Sequence, residues 1–70
     1  MAVELSPRER EALHRIASGR TTKEIAAELG VAESTVNWHV GNALGKLGAS
    51  TRAEAVAIAM RRDELDLPEG

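Results

Sequence analysis

Few residues in this 70-residue chain can do chemistry beyond packing, and their spacing limits what that chemistry is. His14 and His39 come with no HExxH spacing, no Cys and no acidic cluster, so no metal site is expected. No nucleophile sits beside a base, and Ser6 is taken as a helix cap, so no catalysis and no cofactor are expected. Ser34 and Thr35 open a predicted helix, where hydroxyls and free backbone amides can cradle a phosphate oxygen. The plain alternative is a pair of solvated hydroxyls. Asn37 and Trp38 follow on the polar side of that helix. Asn can pair bidentately with adenine, and an aromatic edge can meet a thymine methyl. Read from the residues alone, a lone Trp is more often half-buried against a neighbouring helix. Arg20, Lys23, Lys46 and Arg52 are the accompanying cations, each of which can equally be solvated charge.

The elements that must position these groups are helices. Ser6-Pro7-Arg8-Glu9 is a capping box with Pro at the first helical position. Ala12, Leu13, Ile16 and Ala17 follow at helical spacing before Gly19. Thr21 with Glu24 makes a second box, followed by Ile25, Ala26 and Leu29, with Gly30 as the C-cap. The longest helix spans Glu33 to Leu47, with Val36, Val40, Ala43, Leu44 and Leu47 as one apolar stripe. Ser34, Asn37, Trp38, Gly41 and Gly45 share the opposite face. Thr51 with Glu54 suggests a third box, opening an Ala-rich helix to about Arg62. Leu13, Ile16, Ile25, Leu29, Val36, Val40, Leu44 and Leu47 are the expected core. A short helix, a tight Gly-containing turn and a longer helix form the helix-turn-helix pattern.

Seventy residues suffice for one small domain. Twelve of the apolar residues are Ala and only Trp38 is aromatic, so the core must be thin. No apolar run approaches the ~20 residues that cross a membrane. The absence of Cys fits a reducing, cytoplasmic compartment. The net charge of -2 hides an uneven distribution, because residues 63–70 carry four acids and no base. The body, residues 1–62, is therefore mildly basic, and 63–70 is expected to be a frayed acidic tail.

The segments LSPREREAL, GRTTKEIAAELGVAESTVNWHVGNALGKLGAS and TRAEAVAIA resemble the LuxR-type (GerE-like) DNA-binding domain in unbroken register from Leu5 to Ala59. VNWHVGN looks most like the autoinducer-sensing group. The resemblance implies an all-α four-helix bundle containing a helix-turn-helix, with the helix at 33–47 in the major groove of DNA. It also implies a weak dimer through the helix at 51–62 on paired half-sites, and transcriptional regulation with RNA polymerase as a candidate partner. The positions it sets against DNA are Arg20, Thr22, Lys23, Ser34, Thr35, Asn37, Trp38, His39, Gly41, Asn42 and Lys46. Those at the dimer seam are Ala53, Ala57, Met60 and Arg61. Beside DNA, exposure of Trp38 becomes an equal alternative to burial. Glu11 is read as part of an internal polar network, and the role of Arg52 stays open.

The sequence departs from the family where Asn37, Gly41 and Gly45 stand in place of common Lys or Arg. Each Gly costs a helix about 0.5–1 kcal/mol relative to Ala. Ala32 replaces a frequent N-cap Ser, which removes about 1 kcal/mol of local support. Arg20, Lys23 and Lys46, with Arg52 as a fourth, offer three or four phosphate contacts per protomer. The rival expectation is a helical protein-interaction module that has lost DNA binding, its neutral stripe seating another helix.

Overall fold

A computed structural model describes residues 4–65, which form α1 (Pro7–Ala17), α2 (Thr22–Leu29), α3 (Glu33–Leu47) and α4 (Arg52–Arg61). The described residues contain no strand. Local chemistry sets the helix starts. The Ser6 hydroxyl accepts the Glu9 N–H while the Glu9 carboxylate accepts the Ser6 N–H, and Thr21 and Glu24 repeat the exchange. The third box is incomplete. Thr51 accepts from the Glu54 N–H, but the Glu54 carboxylate takes the Ser50 N–H at 2.8 Å. Ala32 provides no side-chain cap for α3. Gly30 ends α2 in the left-handed region at φ 70°, where a side chain would add roughly 1–2 kcal/mol of strain. This turns the chain tightly from α2 into α3.

Two clusters make the core. Leu5, Leu13, Ala43, Leu47, Ala55, Ala59 and Leu65 fill the space between α1, α3 and α4. Ala12, Ile25, Ala26, Val36 and Val40 fill that between α1, α2 and α3. Ile16 and Leu44 pack against both clusters and Leu29 against the second, and all three are half-buried where the helical spacing predicts core. Ala43, Ala55 and Ala59 have no exposed surface, and their small side chains let α3 and α4 approach closely. α2 and α4 do not pack against each other.

The acidic tail does not begin at residue 63. Asp63 turns the chain at φ 56°, the Glu64 carboxylate accepts the Leu5 N–H at 3.1 Å, and Leu65 is buried beside Leu5. Burying one Leu side chain outweighs the charge pattern that suggests fraying. The compact body therefore reaches at least Leu65, and the rest of the expected tail, 66–70, lies outside the described residues.

Leu13→Ala or Ile25→Ala is expected to cost about 2–5 kcal/mol in chemical denaturation. Truncation after Arg62 should lower the thermal midpoint by at least about 5 °C through loss of Leu65. An unchanged midpoint would return residues 63–65 to the tail.

Candidate nucleic-acid interface

α3 buries Val36, Val40, Ala43 and Leu47 and turns Ser34, Asn37, Trp38, Gly41 and Gly45 to solvent. Trp38 is 64% exposed, which rules out packing against a neighbouring helix. Its ring meets the His39 ring edge-on, with centroids 5.1 Å apart. Thr35, His39 and Asn42 are half-buried along the flank. A Cβ built on Gly41 or Gly45 would meet no atom within 4 Å, so the helix backbone is bare there. An open groove of about 720 Å³ runs along this surface, between Trp38, His39, Gly41, Asn42 and Gly45 and the Ser6–Glu9–Lys46 side.

Arg52 ties the helix-turn-helix to α4. Its guanidinium donates to the Thr22 hydroxyl and to Asn37 Oδ1, each at 2.8 Å. From the start of α4, this one side chain thus reaches the start of α2 and the first half of α3, where the backbones of α2 and α4 do not pack together. Adenine pairing by Asn37 must share Oδ1 with Arg52, while Nδ2 stays a donor.

The cations are arranged differently from expectation. Lys46 does not stand free for phosphate: its ammonium donates to Glu9 Oε1 at 2.8 Å, and Glu9 is buried at 4% exposure. Burial alone would raise the Glu9 pKa, but the Lys46 ammonium and the Ser6 N–H together hold it below the ordinary glutamate value. Arg20 pairs with Glu28 at 2.9 Å, and Arg15 pairs with the same carboxylate. Those hydrogen bonds, that of Arg20 foremost, lower the Glu28 pKa. Lys23 is exposed in the first turn of α2, with no ion-pair partner among the described residues.

Glu11 is corrected as well. It is exposed and pairs only with Arg8, and the internal acid is Glu9. A signal for Glu9 was present, since it stands three and four residues before Ala12 and Leu13 on the buried face. On α4, Ala53, Ala57 and Arg61 form an exposed line, Met60 is half-buried, and Ala55 and Ala59 point inward. His14 is exposed on α1. No helix of the described residues is long and apolar enough to cross a membrane.

Residues 3–59 match the family described as bacterial regulatory proteins, luxR family. The chain belongs to that family. This luxR-family chain carries its helix-turn-helix DNA-binding domain. It is 60% identical over 62 residues to the probable transcriptional regulatory protein NarL of Mycobacterium tuberculosis, covering 89% of this chain and 29% of that protein. It is 46% identical over 63 residues to the spore germination protein GerE of Bacillus subtilis, covering 90% of this chain and 85% of GerE. The solved structure of the transcription factor GerE superposes with a TM-score of 0.86 at 38% identity, over 90% of this chain and 94% of that one. The response regulator ChrA of a heme-sensing two-component system gives 0.85 at 32% identity, over 90% of this chain and 31% of ChrA. The luxR-family chain therefore spans less than a third of the length of NarL or ChrA and most of that of GerE. The relatives described here are regulators, not enzymes.

Lys46→Met is expected to cost about 1–3 kcal/mol, because it leaves the buried Glu9 carboxylate without its ammonium. Because the folded Glu9 pKa is depressed, its contribution is complete above the ordinary glutamate value and is lost as pH falls through the folded one. Thermal midpoints from neutral to acidic pH should therefore fall more steeply for the native chain than for Glu9→Gln. Parallel curves would show that Glu9 does not contribute this pH dependence.

Proposed function

We infer that the domain binds duplex DNA sequence-specifically, with α3 in the major groove, as the DNA-binding output of a transcriptional regulator. The observation that carries this reading is the outward face of α3, bare at Gly41 and Gly45 and bearing an exposed Trp38 in a helix-turn-helix. Lys23 and Thr22 sit in the first turn of α2, where the positive end of the helix dipole favours a phosphate. Ser34 and Thr35, in the first turn of α3, are a second such pair, and His39 and Asn42 flank the groove wall.

On this reading Ala53, Ala57, Met60 and Arg61 form a small seam between two copies, each reading one half-site. Ala side chains bury little area, so the free dimer is weak and the paired half-sites complete it. The domain works in the cytoplasm without catalysis, and RNA polymerase is the partner of the complete regulator at a promoter.

With Arg20 and Lys46 held by carboxylates, one or two cations per protomer remain for phosphates, Lys23 first. A dimer should then show a log–log salt slope of roughly -2 to -4, shallower than three or four contacts per protomer would give. Lys23→Ala should weaken binding to all duplexes and reduce the slope by about 0.9 per protomer, while Lys46→Ala leaves the slope unchanged. Fluorescence anisotropy at several salt concentrations measures both. If Lys46→Ala flattened the slope as Lys23→Ala is expected to, Lys46 would be a phosphate contact after all. Ala57→Glu should weaken binding to a duplex with two half-sites while leaving helicity intact. A domain that bound no duplex at low salt would instead have its bare α3 face assigned to another protein helix.

A further inference from the structure

We propose that the outward face of α3 reads A·T base pairs, with the Trp38 indole set against thymine C5-methyl groups. The inference rests on the DNA-binding reading above and narrows its target. In the major groove, Arg and Lys suit guanine, Asp and Glu suit cytosine, Asn and Gln suit adenine, and apolar groups suit the thymine methyl. From Ser34 through Gly45 the sequence holds no Lys, Arg, Asp or Glu. Glu33 opens the helix about 100° round from Ser34. The next cation, Lys46, is turned to Glu9. α3 itself therefore brings no Lys, Arg, Asp or Glu to this face, and the guanidinium beside it, that of Arg52, is engaged by Asn37 and Thr22.

What the face does hold fits an A·T pair. Trp38 is the large apolar side chain exposed among the described residues, and its ring meets that of His39 edge-on. Asn37, its neighbour, keeps Nδ2 as a donor for an acceptor on a base edge, while Arg52 restrains its carboxamide. Gly41 and Gly45 stand three and seven residues beyond Trp38, close to the same helix face. Open space beyond both lets the backbone approach the base pairs more closely than a helix bearing long side chains. An indole brought that close buries methyl groups that a charged face would hold away. Each buried methyl is worth about fourfold in affinity.

The test uses this domain and a duplex selected with it from a randomised pool, then resynthesised with deoxyuridine in place of thymidine. The change removes the C5 methyl and keeps the hydrogen-bonding edge. The selected sites should be A·T-rich under α3, and the native domain should lose about fourfold in affinity per contacted methyl. Trp38→Ala should bind the thymidine duplex more weakly and lose most of its sensitivity to deoxyuridine, and Trp38→Phe should restore part of it. The exposed position of Trp38 predicts an unchanged thermal midpoint for both variants. Gly41→Ala should raise the midpoint while weakening binding. Equal affinity of the native domain for both duplexes, methyl sensitivity retained by Trp38→Ala, or G·C-rich selected sites would each overturn this inference and leave DNA binding standing. Failure to select any duplex would overturn both.

Discussion

With so few large apolar side chains, the domain depends on α3 burying one face in both core clusters. Val36 and Val40 close it against α2 and α1, and Ala43 and Leu47 close it against α1 and α4. Leu44 and Ile16 join the two clusters where the helices meet. Little else in the chain could replace that stripe, so the orientation of α3 is set by packing. Its opposite face must then be whatever the remaining positions supply. The requirement that holds the fold together is thus the one that presents Trp38, Gly41 and Gly45 to solvent.

Charge is used mainly to support that arrangement. Glu9 is buried where α1 starts, and it accepts hydrogen bonds from both the Ser6 amide and the Lys46 ammonium, which ties the beginning of α1 to the end of α3. Breaking such a pair leaves a carboxylate in low dielectric, which costs more than the pair itself contributes. Arg52 fixes α3, one turn in from its start, to α2 and α4 through Asn37 and Thr22. Glu28 engages Arg15 and Arg20 at a more exposed site, where each pair contributes little to stability. The consequence is an α3 held from both sides, whose residues from Ser34 through Gly45 include no Lys, Arg, Asp or Glu.

Much of the fold was legible before any coordinates. The Ser6–Glu9 and Thr21–Glu24 boxes, Gly30 as a helix stop, and the Val36–Leu47 stripe all hold in the structure. The surroundings that helical spacing does not give are those of charged or terminal residues: the ion pairs of Lys46 and Arg20, the exposure of Glu11, and the packing of residues following Arg62. The residue types around Trp38 allow either burial or exposure, and the placement of the neighbouring helices leaves it 64% exposed.

The division has a physical basis. Capping, helix stops and amphipathic spacing depend on residues within about four positions of one another, so the order of amino acids by itself determines them. The run of motifs from Leu5 to Ala59 likewise determines the family and its helix-turn-helix. A charged side chain, by contrast, takes the partner that folding brings within reach. Lys46 meets Glu9 across 37 positions, Arg52 meets Asn37 across 15, and Leu5 meets Glu64 across 59. Only the tertiary structure decided which cations meet a carboxylate, where the compact body ends and how bare the outer face of α3 is, because those outcomes depend on distances that helical periodicity does not encode.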